Sequence, residues 1–541
     1  MLFSIFFVLV LVAVIDTVHA ESCKTIQYAF PAGTGVNDSR AEAVKAAYVR
    51  SWNEYAGYCF GNDSILPVSH GCRDDLDGFG ATIIDGMDTA IIMGLTDIVA
   101  RQLEHAATVD FSRSSSVLVE LFDMNIRYIA GLLSAHDLLT SGLFPNPYNQ
   151  SHMDALITQA ATLATNLKPC FETGTGLPAT YVNYTTKQPV AGFPLTIGNT
   201  TYLNVTNTAQ AGTLMLEWYR LSDKTGDSSF RDLAAKAESW LLKPNPPPRY
   251  LNLVGTALDT NTGHFLTFDG GWKSGVDSYL EYLVKTHIYN PADDIENTWK
   301  SFWITAVEST IEYIALHPYE HPEITFLSEL DNDGNIMWSM DDYSCFAGGN
   351  LMLGGTYFDR QDIVALGKAA AESCHVTYNT TVTGLGPLTF AWYNASNLAY
   401  DAQYNNNFTT RAYAEKNGYF IELAQYNSFP ESTESIFYGW RITGDTKWQD
   451  YNWGIFQALN TTRTENAPYW EISDVNVPYG GEPYDYLSSY YFAETLKYLY
   501  LTFTEPDIVS LDRFSFNTEC HPMLIQAGTC AVEEAKRKGE L

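Results

Sequence analysis

Acidic residues embedded one or two at a time in apolar phrases are the features of this chain best suited to chemistry. They stand in GFGATIIDGMDTAIIMGL (Gly78 to Leu95), GVDSYLEYL (Gly275 to Leu283), FPESTES (Phe429 to Ser435), AETLKYLYL (Ala493 to Leu501) and FNTECHP (Phe516 to Pro522). Carboxylates mounted on rigid apolar elements and pointed into one cavity are what glycosidic bond cleavage needs: one protonates the leaving oxygen and one activates water. Asp277 and Glu281 share a helix face by their spacing, and so do Glu431 and Glu434. Each pair also has a structural reading. Asp277 and Glu281 could form a solvated face, although Tyr279, Leu280, Tyr282 and Leu283 leave little of one. Glu431 and Glu434 could serve only as acids at a helix N-terminus. Glu494 could pair with Lys497 on the next turn, and Asp85 and Asp88 could cap and solvate a helix start.

The elements that would position these acids are mostly helical. Apolar periodicity predicts helices over 40–56, 85–105, 117–139, 153–167, 209–221, 228–242, 276–286, 296–316, 360–374, 411–426, 433–442, 446–461 and 486–501. Long loops rich in Asn, Gly, Pro and Tyr, such as 183–207 and 245–267, have room for short strand pairs. Leu221 to Asp227 (LSDKTGD) and Arg441 to Asp445 (RITGD) repeat one theme, a glycine that stops a helix and an Asp or Thr that starts the next. Repeated helical hairpins around one centre give an all-helical toroid; an open solenoid is the alternative, disfavoured by the shared acid-bearing segments.

No Pro/Ser/Gly linker or long charge run divides the 541 residues, so one domain over 21–541 is expected. With 63 acidic against 31 basic residues and a net charge of −32, nucleic acid is a poor partner and a neutral substrate a good one. Leu2 to Val14 is apolar apart from Ser4, and Val18-His19-Ala20 suits cleavage, which predicts a signal peptide over 1–20 and no membrane span after its removal. Ten N-glycosylation sequons fit that route. The ending Lys538-Gly539-Glu540-Leu541 loosely echoes an ER-retention address, so the expected location is the ER or Golgi lumen or the outside of the cell. The eight cysteines show no CxxC spacing, which disfavours zinc and leaves disulfides as the default.

Taken in order, TIIDGMDTAIIMGL, NIRYIAGLLSAHDLL (Asn125 to Leu139), AGTLMLEWYRLSDKTGD, GVDSYLEYLVK, CFAGGNLMLGG (Cys345 to Gly355), PESTES, AETLKYLYLTF and FNTECHP resemble glycoside hydrolase family 47, the class I α-1,2-mannosidases, over essentially the whole mature length. The resemblance implies an all-α fold, an (α/α)7 barrel with short β-hairpins in its loops. It also implies a Ca²⁺ ion at the barrel floor and inverting removal of terminal α-1,2-linked mannose from high-mannose N-glycans; separately, the protein is expected to be a monomer. By the same resemblance Asp123 and Asp277 are the acid candidates and Glu431 the base. Arg127, Glu281, Glu434, Glu494 and Glu519 line the sugar site, Thr518 binds Ca²⁺, and His521 packs structurally. Cys345 with Cys374 is the expected disulfide, and Cys520 with Cys530 a second candidate.

Several positions depart from the family pattern. Asp123 stands where the family has Glu; the loss of one methylene withdraws the carboxyl by roughly 1.5 Å, and about 1 Å of misplacement costs on the order of 10²-fold in rate. Asp342 replaces a His, Phe429 an Arg beside the base, Gln210 and Ser488 each a Glu, and Leu388 the Glu of a Pro-Glu pair. Losing an arginine and a histidine while gaining a carboxylate raises the pKa expected for Glu431. Two other readings therefore stay open: a mannose-binding, lectin-like protein of glycoprotein quality control, and a glycosidase of shifted sugar or linkage preference.

Overall fold

The computed structural model describes residues 24–34, 36–404, 408–463 and 468–525. The expected leader, Asn407, Cys530 and the Lys538–Leu541 ending lie outside the described residues. Within them the chain forms a closed ring of helical hairpins. Its inner helices, Met87–Ile92, Ala130–Thr140, Met215–Thr225, Asp277–Tyr289, Ala347–Tyr357, Glu431–Thr443 and Leu496–Phe503, pack each against the next, and the turn Tyr491–Thr495 returns to Met87–Ile92 to close the circle. Outside them lie Thr96–Thr108, Gln150–Leu167, Ser228–Leu241, Thr298–Ser309, Gln361–Asn379, Lys447–Thr461 and the N-terminal Asp38–Tyr58, the last packed on Leu496–Phe503. The division follows from composition. Every residue of Asp277–Tyr289 after the first is buried, whereas Ser228–Leu241 buries one stripe: Phe230, Ala234, Ala237, Glu238 and Leu241.

Helix punctuation follows the sequence. Gly226 and Gly444 end their helices in the left-handed conformation, φ 76° and 67°, and Asp227 caps the following helix through the Ser229 amide. Strands are short and pair antiparallel in two- and three-stranded sheets.

Four expectations need correction. The single helix over 85–105 is three, broken at Gly86 and Gly94. The helix over 117–139 begins with a strand, Leu118–Glu120, and passes through a π-helical turn, Met124–Ile129, before Ala130–Thr140. The helix over 411–426 stops at Asn417, and Phe420–Leu423 is instead a strand beside Thr389–Ala391. Ala347–Tyr357 is a helix that its glycines hide: a Cβ on Gly348 would lie 2.8 Å from Ala371, and one on Gly354 would lie 2.5 Å from the Trp303 ring. These glycines serve close helix packing, not flexibility.

The centre of the ring is filled by a hairpin, Phe514–Phe516 with Pro522–Leu524, which packs on Asp277–Tyr289 and Ala130–Thr140. Phe516 anchors it against Phe437 and Tyr498. Its turn, Asn517 to His521, thereby carries Thr518 and Glu519 to the axis. The Cys345–Cys374 disulfide is present, and Cys59–Cys72, which the sequence did not single out, is a second. Cys520 is buried and unbridged among the described residues.

Candidate active site

A cavity of about 290 Å³ opens on the ring axis, lined by Arg127, Asp277, Glu431, Glu494, Thr518 and Glu519 among others. Asp277 and Glu431 are the first residues of two different inner helices, so both carboxyls start at helix N-termini and face the same space. Burial, with Asp341 and Glu281 nearby, pushes Asp277 up to about 7 against the opposing hydrogen bond from the Ser278 amide. Burial also pushes Glu431 well above the usual carboxylate range, with Asp342, Glu434 and Asp277 adding to it. Glu431 Oε2 and Asp342 Oδ1 are both buried without a hydrogen-bond partner.

Phe429, where the family carries a cation, instead builds an aromatic wall with Tyr343 and Tyr490, at ring separations of 4.4 and 5.9 Å. Nothing in that wall lowers the Glu431 pKa. Asp342 accepts a hydrogen bond from Tyr378 at 2.9 Å and is itself pushed up to about 7 by burial. Asp342→Asn removes one carboxylate that raises the Glu431 pKa, so Glu431 ionises at lower pH. The acidic limb of a kcat/KM–pH profile is expected to move to lower pH, and an unmoved limb would mean that Asp342 does not act on the base.

Arg127 is the cationic hub. It meets Glu519 at 2.7 Å, Asp123 at 3.0 Å and Asp85 at 3.5 Å, and lies 5.7 Å from the Tyr490 ring centre. Asp123 does not line the cavity; it sits behind Arg127 with its side chain 22% exposed. Asp123 and Arg127 flank or lie in one π-helical turn and Glu494 lies in another, Tyr491–Thr495.

Glu281 and Glu434 also stand behind the lining, where Lys285, wholly buried, bridges them. The solvated-face reading of Glu281 is thereby excluded. Glu494 does not pair with Lys497, which reaches Asp88 at 2.8 Å and the Cys520 carbonyl at 2.7 Å. Asp85 and Asp88 are fully buried and hold the His521 ring between them at 3.0 and 2.8 Å, so they brace the floor and do not line the cavity. Lys285, Glu217 and Glu120 were missed from sequence. Glu217 is buried among Tyr282, Asn517 and Asn125, all of which hydrogen-bond its carboxylate. The available signal for Lys285 was its spacing, one helical turn past Glu281.

The donors at the floor fit a hard cation. Thr518 lines the cavity, Glu519 Oε2 is buried with no hydrogen-bond partner, and burial with Glu519 and Glu431 nearby pushes Glu494 well up. That is an all-oxygen set with excess negative charge. Among the described residues no three His, Cys, Asp or Glu side chains form a chelating cluster, so a cation held here would depend on Thr518 and water with the carboxylates around them.

The model of glycosyl hydrolase family 47 matches residues 47–525. The chain belongs to that family. As a family 47 protein it is a glycoside hydrolase. It is 37% identical over 496 residues to a mannosyl-oligosaccharide α-1,2-mannosidase 1B of Aspergillus phoenicis, covering 90% of this chain and 92% of that one. It is 38% identical to the mannosyl-oligosaccharide α-1,2-mannosidase of Penicillium citrinum, with the same coverage. The fold superposes on an α-1,2-mannosidase from Trichoderma reesei with a TM-score of 0.83 at 35% identity, covering 91% of this chain and all of that one. The helical toroid is thus the family 47 fold.

Proposed function

We propose that this chain is a Ca²⁺-dependent, inverting exo-α-1,2-mannosidase that trims terminal mannose from high-mannose N-glycans, acting as a monomer in the secretory pathway or outside the cell. The observation that carries this reading is the cavity itself: Asp277 and Glu431 line one space together with Thr518 and Glu519. Glu431 takes a proton from water, whose oxygen attacks the anomeric carbon while the bond to the leaving oxygen breaks and that oxygen is protonated from the acid side. Asp277, pushed up to about 7, still carries a proton near neutrality. Asp123 stands ready behind Arg127. Thr518 would hold Ca²⁺ with Glu494 and Glu519 around it; bound there, the ion supplies positive charge that favours ionised carboxylates and orders sugar hydroxyls. Two disulfides suit an oxidising compartment, and no helix among the described residues is long and apolar enough to cross a membrane.

The test is proton NMR of α-1,2-mannobiose during hydrolysis. β-Mannose is expected as the first anomer released, as direct displacement by water requires. α-Mannose appearing first, or no cleavage, would overturn the reading.

A further inference from the structure

A second cavity, of about 280 Å³, shares no lining residue with the catalytic one and is lined by Tyr319, Glu320, Tyr393, Arg411 and Glu415 among others. Three segments meet there: the loop after the strand Ala315–Leu316, the end of the strand Thr389–Ala391, and the helix Phe408–Asn417. Their mutual hydrogen bonds preform the cavity. The Tyr319 amide donates to the Tyr393 carbonyl at 2.7 Å, and His321 Nε2 lies 3.0 Å from the Glu415 carbonyl. Arg411 Nε donates to Glu415 Oε1 at 2.9 Å. The Tyr393 hydroxyl donates to Asp401 at 3.1 Å, and its ring packs on Phe420 at 4.9 Å. Tyr319 is 43% exposed, which leaves its ring accessible.

The lining has the chemistry of a carbohydrate site. Two tyrosine rings offer faces on which the C–H face of a pyranose stacks, and Arg411, Glu415 and Glu320 offer donors and acceptors for hydroxyls. Two carboxylates against one guanidinium, on a chain of net charge −32, repel an anion and suit a neutral ligand. Position matters as much. The segments belong to the connections from outer Thr298–Ser309 to inner Ala347–Tyr357 and from outer Gln361–Asn379 to inner Glu431–Thr443. Outer-to-inner connections are the ones that deliver Asp277 and Glu431 to the starts of inner helices, so both cavities lie on the same side of the ring. One strand runs between them. The Asp342 amide, next to the cavity residue Tyr343, donates to the Leu388 carbonyl at 2.9 Å, and the strand leads from Leu388 to Tyr393. At about 3.3 Å per residue its two ends stand about 16 Å apart, the span of a few linked sugars.

We propose that this cavity is a second sugar site, which holds an arm of a branched oligomannose other than the arm being trimmed. This rests on the α-mannosidase reading. The held arm stacks on Tyr319 and hydrogen-bonds to Arg411 and Glu415, and no covalent bond changes there. Because the two arms are joined at a branch point, the second contact is intramolecular, which raises apparent affinity about 10²-fold where the geometry allows both. The site acts in binding and not in chemistry, so its loss raises KM and leaves kcat unchanged.

The test compares a branched high-mannose glycan with α-1,2-mannobiose, which is too short to reach Tyr319 from the catalytic cavity. Tyr319→Ala and, separately, Arg411→Gln are expected to raise KM for the branched glycan about ten-fold with kcat unchanged. KM for the disaccharide is expected to stay within about two-fold of the parent. Saturation-transfer NMR of a branched α-1,3/α-1,6-linked mannopentaose, which has no α-1,2 bond to cleave, reads the site without catalysis, and its signal on the parent is expected to fall in both variants. An unchanged KM for the branched glycan, or equal rises on both substrates, would overturn the proposal. Asn394-Ala395-Ser396 is a sequon beside Tyr393. A branched-glycan KM that drops only in Ser396→Ala, which removes the sequon, would show that the chain's own glycan fills the cavity and would overturn the proposal too. A parent that trims neither substrate yet gives a Tyr319-dependent NMR signal would overturn the α-mannosidase reading and support the sugar site; one that does neither would overturn both.

Discussion

Glu431→Gln is expected to lower kcat on oligomannose by about 10³-fold while leaving the protein at least as stable as the parent. The activity loss follows from removing the cavity carboxyl proposed to take a proton from the attacking water. The stability result is the sharper half. Glu431 is held among Asp342, Glu434 and Asp277, and its Oε2 has no hydrogen-bond partner. An ionised group in that setting opposes folding, and a raised pKa contributes negatively to stability above the unfolded-state value. The isosteric amide removes the repulsion, so the melting temperature stays level or rises. A folded variant with parental kcat would remove Glu431 from the mechanism. A variant of lower stability would mean that Glu431 is structurally required.

Lys285→Met is expected to cost about 3–5 kcal/mol of stability, the cost of leaving buried charge unpaired. The Lys285 side chain is wholly buried, and the Glu281 and Glu434 side chains are only 3% and 5% exposed. Even with the lysine present, burial pushes Glu434 up to about 7. Without it two carboxyls share a dry site with no cation, against the Tyr438 ring 5.6 Å from the lost ammonium. The check is the chemical denaturation midpoint at neutral pH. Adding Glu281→Gln and Glu434→Gln to Lys285→Met should restore most of the loss, since all members are then neutral. A single variant within about 0.5 kcal/mol of the parent, the usual range for surface substitutions, would show that the triad is not the bridge described here.

Much of this was legible in the residues. The inner helix Asp277–Tyr289 and the outer Ser228–Leu241 declare themselves by apolar period, and Gly226-Asp227 declares the turn between hairpins. The acids at Asp277, Glu431, Glu494 and Glu519 could be named because they interrupt apolar phrases. Their depth could not be read, because period gives a face and not a distance from the axis. Glu281 and Glu434 share faces with Asp277 and Glu431, yet one turn of helix carries them from the lining into the wall, where Lys285 meets them. Ala347–Tyr357 escaped because small residues packed against Ala371 and Trp303 carry no apolar signal. Glu120 escaped because its strand was read as the start of a helix, and its hydrogen-bond partner Gln210 lies far along the chain. Asp342 and Phe429 stood out only against the family pattern, and the geometry gives them meaning: together they leave Glu431 without a cation and beside another acid.

The most direct test of the central claim is mass spectrometry of a high-mannose N-glycan incubated with the purified protein, in calcium and after chelation. Stepwise loss of hexose is predicted, stopping when the terminal α-1,2-linked mannoses are gone, and absent under chelator and in Glu431→Gln. An intact glycan in the presence of calcium would contradict the account, and one retained on the immobilised protein would show that the cavity binds mannose without cleaving it.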